Sequence, residues 1–454
     1  MWSGCGSIAR WCALIAPADR RLPEQRRNGG LLPVGSADNR WRLFIQKPTV
    51  WRVADEIPLV PFDEDSYYQD PAGFFARLRE SRPVAPVWLP VRGRSWFITR
   101  YADVWAALAD SRLANDVHHH PRGARQRPSE AAGGVHAHLL NSDPPAHTRL
   151  RHLVGKAFTP RRVARLRPRA EKIAAGLLDE MEAAGGVTDL LDAYARPLPG
   201  AVLCELLGVP QADRSWISAT VTAYDQPGEA DRVTRELAAY LTELIAAKRA
   251  DPGDDLLSAL ALVRDDVSED GTGEGLTDTE ARSLAFQIIM GGFGTTVNLI
   301  GNGTLSLLTY PQELARLHAD PSLMPAAVEE LLRFTNPLNH ATDRFTTQDM
   351  TVGDVIIPAG ETVFMAISSA NRDPDQFPDP DRLDLGRDTS GHLAFGRGVH
   401  YCLGASLARV EAEVALGALL DRFPRLSLAV PPEELRWRPD SLMNGLESLP
   451  VRLT

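Results

Sequence analysis

The chain has 454 residues, 44% of them hydrophobic, ample for a large core. Its 49 basic against 59 acidic residues leave a net charge of −10, which argues against a nucleic-acid role. Four cysteines, Cys5, Cys12, Cys204 and Cys402, make no disulfide framework and no CxxC pair, as expected in a reducing cytoplasm, and no apolar run approaches the ~18 residues that span a membrane.

Residues 1–58 carry the arginine pairs Arg20-Arg21 and Arg26-Arg27, and Trp11–Pro17 is too short and poorly flanked for a signal peptide. They read as a flexible extension, or as a start codon assigned too far upstream, ahead of a body at 59–454. Asp70–Glu80 predicts a first helix, Val84–Val87 and Ser95–Thr99 strands of a small β region, and Tyr101–Ala109 a further helix. Residues 111–140 are polar, with His118, His119, His120, His136 and His138. A mobile loop is the preferred reading over a metal cluster, because nothing supplies a rigid ligand geometry.

Next, Asp143 is the expected N-cap of a helix whose first turn takes Pro144 and Pro145. His147 and Arg151 are four apart and share a face, two cationic donors suited to a carboxylate ligand or, more simply, a solvated basic face. From 159 to 335 nearly everything is amphipathic helix, broken at 251–254 and 269–275. Inside it, Ser283–Ile300 reads as a long buried helix. Glycine in a helix costs about 1 kcal/mol against alanine, so Gly291, Gly292 and Gly294 need a reason. Close approach of a flat cofactor is one, and helix–helix packing is the other. Glu330 and Arg333 stand one turn apart in the apolar stretch Ala326–Phe334, a weak signal by itself, and the neighbouring Glu329 has the wrong spacing to Arg333. Residues 351–366 alternate like strands around a turn at 358–360.

The most informative run is Phe395–Arg409. It sets Cys402 on a loop containing Gly396, Gly398 and Gly404, directly ahead of a helical pattern marked by Leu407, Val410, Val414, Leu416 and Leu419. A thiolate needs help to exist at neutral pH, and a helix N-terminus with amides turned toward the sulfur supplies it. A buried structural thiol is the bland alternative. A nucleotide loop is excluded, since no third glycine completes the Gly396-x-Gly398 pair in a βαβ setting.

Position by position, this run resembles the haem-binding loop of the cytochrome P450 family, through Phe395, Gly396, Gly398, His400, Cys402, Gly404, Leu407, Ala408 and Arg409. The resemblance implies one large, mainly α domain with a smaller β region, and haem b held by Cys402 as axial thiolate, a ligand that favours O–O cleavage. It implies cofactor contacts from His147, Arg151, Gly291, Gly292, Arg344, Phe395, Arg397, His400 and Gly404, with His147, Arg151 and Arg344 on the propionates. It makes Glu330, Arg333 and Arg382 a structural network around the thiolate loop. Thr295 matches the threonine beside the oxygen site, with Thr296 next to it. Gln287, Met290, Asn339, His340, Leu442 and Met443 are the expected substrate pocket, apolar with a few polar handles.

One position departs from the pattern. The family has Asp or Glu just before that threonine, and here stands Gly294. Protons must then come from water in the space of the missing side chain, from Thr295 or Thr296, or from the substrate. The expected activity is a cytoplasmic, bacterial-type monooxygenase acting with dioxygen on a medium-sized organic molecule of secondary metabolism. Electrons would come from NAD(P)H through a ferredoxin and its reductase. The alternatives are a peroxide-using or oxidative-coupling member, and a haem binding or sensor protein without turnover.

Overall fold

The computed structural model describes residues 58–453, apart from 90–92, 117–134, 136, 225, 227 and 265–274. Most of the 1–58 extension, His118, His119, His120, His136 and most of the 269–275 break therefore lie outside the described residues.

Local chemistry sets the helix boundaries. Asp70 caps its helix by accepting a hydrogen bond from the Gly73 amide at 2.9 Å, and Pro71 takes the first position. Thr159 and Pro160 repeat this device. Thr277 and Glu280 form a reciprocal capping box, starting the longest helix five residues earlier than its apolar pattern suggests.

Around the N-terminal β region lie α1 (Glu64–Gln69), α2 (Pro71–Ser81), β1 (Val84–Leu89), β2 (Gly93–Ile98), α3 (Tyr101–Ala107) and β3 (Leu113–Ala114). The helical body follows as α4 (Ala146–Ala157), α5 (Pro160–Ala184), β4 (Val187–Asp189), α6 (Pro197–Leu207), α7 (Arg214–Ala223), α8 (Ala230–Ala250), α9 (Leu256–Leu262), α10 (Asp278–Thr309), α11 (Pro311–Ala319) and α12 (Met324–Phe334). The chain then forms β5 (Arg344–Thr346), β6 (Met350–Val352), β7 (Val355–Ile357), β8 (Thr362–Met365), α13 (Ile367–Ala370), α14 (Ala405–Arg422), β9 (Ser427–Leu428) and β10 (Pro450–Arg452).

The main sheet has the order β1-β2-β8-β5-β3, with β2 and β8 parallel and Trp96 opposite Val363. A second sheet pairs β4, β10 and β9, and β6–β7 is a hairpin. This bears out the expectation of a mainly α chain with a smaller β region.

Helix α10 runs through the helical core and packs on α6, α8, α9, α12 and α14. Here one expectation fails. By length and composition α10 could cross a membrane, although no apolar run was expected to approach that length. Most of its length is buried against other helices, the ordinary fate of a core helix that is apolar all round.

Asp143 is a second correction. Helix α4 begins at Ala146, and the Asp143 carboxylate instead accepts the backbone amides of Asn115 and Asp116 at 2.9–3.1 Å. It ties the end of β3 to the entry of α4, satisfying two amides that no strand partner reaches.

Candidate active site

The Cys402 loop is shaped by two left-handed glycines, Gly396 at φ 67° and Gly398 at φ 76°. A Cβ on Gly398 would come within 3.2 Å of the Leu108 carbonyl and the Ala109 backbone, so only glycine lets the loop rest on the end of α3. The Cys402 amide donates to the Phe395 carbonyl at 2.9 Å, closing the loop. Burial pushes the Cys402 thiol pKa up, while a hydrogen bond from the Gly404 amide and the charges of Arg151 and Arg409 act against that rise. The residue is crowded by protein, yet part of its surface faces open space.

Above the loop, four groups that can carry positive charge converge. The His147 and His400 rings stand 4.3 Å apart between centroids. Burial, then Arg344, His147 and Arg151, push His400 down to about 3. Burial and the neighbouring Arg151 also lower His147, and burial brings Arg344 to about 10, partly offset by Asp143 and Asp343. Among the described residues, both His147 ring nitrogens and Nη1 of Arg344 are buried without a hydrogen-bond partner. Orphaned buried donors are costly, so this cluster is built for an anionic acceptor with several oxygens. The two propionates of haem fit that demand, and Cys402 fits its iron.

The glycines of α10 divide between the two sequence readings. A Cβ on Gly291 would meet nothing within 4 Å, and the residue is exposed although it lies in the middle of a largely buried helix. Gly292 does not share that open face: its Cβ would lie 3.0 Å from Leu203 of α6, which accounts for a glycine there by helix packing. The Thr295 hydroxyl donates to the Gly291 carbonyl at 2.7 Å. Thr296 points elsewhere, 3.4 Å from the Glu411 carboxylate of α14. Burial pushes the Glu411 carboxyl up to about 8, so it holds its proton at neutral pH. Sequence reasoning passed over Glu411; the available signal was a carboxylate four residues after Leu407 and three before Val414, on the buried face of α14.

The space beside Gly294 borders Met443. A Cβ there would come 2.9 Å from the Met443 methyl carbon. Of the expected pocket residues, the structure brings Asn339 to Leu442, amide to carbonyl at 2.8 Å, and pairs Leu338 with Met443. His340 is buried against Phe97 and Phe364, with Nδ1 2.7 Å from the Ala341 carbonyl. Gln287 lies one turn before Gly291 with its amide oxygen buried and unpartnered among the described residues, while Met290 packs into the helical core.

Glu330 and Arg333 are fully buried and joined by two bonds of 2.7 and 2.8 Å. The third side chain on Glu330 is Arg387, at 3.2 Å, and not the expected Arg382. Arg382 turns outward to Asp384 at 3.3 Å and lends only its carbonyl to Arg333 and Arg387, because its side chain leaves the turn on the solvent side. Glu329, on the next position, binds Arg409 and His392, both part of the thiolate-loop region. Arg397 engages Trp105, stacked 4.2 Å from its ring and bonded to its carbonyl, apart from the basic cluster. Phe395 lies beneath Arg409 at 4.5 Å.

The family model described as Cytochrome P450 matches residues 225–446. Cytochrome P450 107B1 of Saccharopolyspora erythraea is 47% identical over 408 residues, spanning 87% of this chain and 98% of that protein. The 6-deoxyerythronolide B hydroxylase of the same organism is 43% identical over 403 residues, spanning 86% and 98%. Among solved structures, the ligand-free P450 monooxygenase TamI aligns with a TM-score of 0.78 at 46% identity, covering 88% of this chain and 95% of that one. Fold and relatives together define an oxidoreductase that uses thiolate-ligated haem iron and dioxygen. The chain belongs to the cytochrome P450 family and is a P450 monooxygenase.

Proposed function

We propose that this chain inserts one oxygen atom from dioxygen into a medium-sized organic substrate, by hydroxylation or epoxidation, within bacterial secondary-metabolite biosynthesis. The similarity to 6-deoxyerythronolide B hydroxylase supports a polyketide-like substrate. The observation that carries the site is the cluster of buried His147 and Arg344 with half-buried Arg151 and His400, in which His147 and Arg344 have nitrogens left unpartnered among the described residues, at the Cys402 loop.

When bound, haem with a thiolate ligand supplies the activation of dioxygen and the transfer of its oxygen atom. The chain's residues do the rest. Cys402 ligates the iron, and the cluster residues anchor the propionates. Gly291 leaves the open face of α10 clear. The Thr295 hydroxyl donates its hydrogen bond to the Gly291 carbonyl and so presents an oxygen lone pair to that face. Glu411 holds a proton within reach of Thr296, on the α14 side of α10. Gln287 and Asn339 offer amide groups to substrate hydroxyls, while Leu442 and Met443 exclude water. Electrons come from NAD(P)H through a ferredoxin and its reductase, in the cytoplasm. Gly294, with no acid beside Thr295, favours one second reading, a peroxide-using or oxidative-coupling enzyme. Turnover with hydrogen peroxide but not with ferredoxin and NADPH selects it.

The test is the visible spectrum of the dithionite-reduced, CO-bound protein beside Cys402→Ser. A strongly red-shifted Soret band lost in the variant is the expected result. Folded parent protein without haem overturns the assignment.

A further inference from the structure

Two consecutive carboxylates of α12 are used differently. Glu330 is fully buried, whereas the Glu329 side chain is partly exposed and turns to the thiolate-loop region. Its Oε1 accepts from Nε of Arg409 at 2.5 Å, and its Oε2 from Nη2 of Arg409 at 2.9 Å, a two-pronged grip. Nε2 of His392 stands 2.9 Å from the same Oε2, and the Ala394 amide donates to Nδ1 at 3.2 Å. The neutral ring therefore carries its proton on Nε2, toward the carboxylate. Against partial burial, the hydrogen bonds from His392 and Arg409 hold the Glu329 carboxyl down to about 2, so it is ionised at neutral pH. Arg409 in turn lies over the Phe395 ring, and the Phe395 carbonyl accepts the Cys402 amide.

Stability is a thin reason for this arrangement. The Arg409 and Glu329 side chains are 31% and 28% exposed, and a solvent-screened ion pair contributes little to folding. Charge is a better reason. Among the described residues, the guanidinia acting on the Cys402 sulfur are Arg151 and Arg409. A thiolate on iron works by pushing electron density to the metal, and a bare cation beside the sulfur draws that density back. Arg151 belongs to the cluster assigned to the propionates, which would match its charge. Arg409 is matched by Glu329.

We infer that Glu329 is a positioning residue that holds Arg409 against Phe395 and offsets its charge at the Cys402 sulfur, and that this counter-ion sets the reduction potential of the iron that Cys402 ligates. This rests on the haem-thiolate reading above. His392 keeps the carboxylate in the orientation that Arg409 needs.

The test is a dye-mediated redox titration of haem-loaded protein, followed at the Soret band. The red-shifted CO band of the reduced parent tests the haem-thiolate reading separately; its absence overturns that reading and this inference with it. Given that band, Glu329→Gln removes a negative charge and should move the one-electron equilibrium toward reduced iron at least about threefold, or about 28 mV at about 59 mV per tenfold. Arg409→Gln removes a positive charge and should move it the other way, while Arg409→Lys, which keeps the charge but not the two-pronged grip, should fall between Arg409→Gln and the parent. Glu329→Gln combined with Arg409→Gln should return to within about twofold of the parent, the signature of coupled charges. A merely structural pair would move the variants in one direction or not at all. An unchanged potential in Glu329→Gln, shifts of the same sign in the two single charge removals, or a double variant whose shift does not return overturns the inference. Where Glu329→Gln loads haem poorly, Arg409→Lys against Arg409→Gln decides, and equal potentials in those two overturn it.

Discussion

The two sides of the candidate site are built by opposite rules. On the Cys402 side, carboxylates and guanidinia saturate one another: Glu330 with Arg333 and Arg387, Glu329 with Arg409 and His392. On the α10 side, and in the basic cluster between, buried donors and acceptors stand unpartnered among the described residues, on His147, Arg344, Gln287 and Asn339. Saturated networks make a rigid frame. Unsaturated groups cost folding energy, and in the basic cluster an anionic ligand would satisfy them.

Breaking the saturated side should produce the largest effect. Glu330 and Arg333 are both fully buried, so Glu330→Ala leaves an uncompensated guanidinium in the core and should cost about 3–5 kcal/mol. Chemical denaturation, or simple loss of soluble protein, reads this out. Arg382→Ala, at a side chain 62% exposed, should change stability by less than about 0.5 kcal/mol, whereas Arg387→Ala should behave as a milder Glu330→Ala.

Next comes Glu411, buried on α14 against Thr296 of α10, with one oxygen unpartnered among the described residues. The folded chain keeps its proton to about pH 8, while an unfolded chain releases it near pH 4.5. Folding therefore takes up a proton between these values, and stability falls as pH rises through that window, by up to about 1.4 kcal/mol per pH unit. Glu411→Gln removes this dependence. Thermal melts from about pH 5 to about 8.5 should show the variant gaining on the parent as pH rises, by a few kcal/mol in all. A constant gap across pH would contradict a buried neutral carboxyl.

The basic cluster sharpens the comparison through a change of sign. Arg344 is buried and strongly desolvated, with Nη1 unpartnered. Arg344→Met should stabilise the haem-free chain by about 1–3 kcal/mol, the cost of an unsatisfied buried donor, while weakening haem retention. Melting of apoprotein and haem loss to excess apomyoglobin measure the two effects. A substitution on the saturated side should move both in the same, unfavourable direction.

The saturated side was also the more legible one in the sequence, though only in outline. The Phe395–Arg409 run and the Glu330–Arg333 spacing are local patterns, readable because loop and helix geometry fix which residues meet. Arg387 was not readable, since its reach to Glu330 depends on how residues 378–387 turn, and no periodicity encodes that. For the same reason Asp143 was misread as a cap: its amide partners lie 27–28 residues away in sequence. On the α10 side, the three glycines announced close approach but not of what. Leu203 lies against one, open space against another and Met443 against the third, and these partners come from distant segments. Glu411 is the exception, a carboxylate on an apolar helix face that periodicity could have exposed.

The smallest effect on stability should come from Thr295, and it divides the two threonines. The Thr295 hydroxyl bonds back to a carbonyl on its own helix, an arrangement close to neutral for stability, so Thr295→Val should shift the melting temperature by no more than about 1–2 °C. Its proposed role is the lone pair facing the open side, and the variant should form less product per NAD(P)H consumed. Thr296 faces Glu411 instead. Thr296→Val removes the one hydrogen bond that favours the ionised carboxylate and should raise the Glu411 pKa further, moving the pH dependence of stability to higher pH. If Thr295→Val moves that pH profile and Thr296→Val does not, the proton held by Glu411 communicates with α10 through Thr295, and the division of labour between the two hydroxyls is the reverse of the one derived from their geometry.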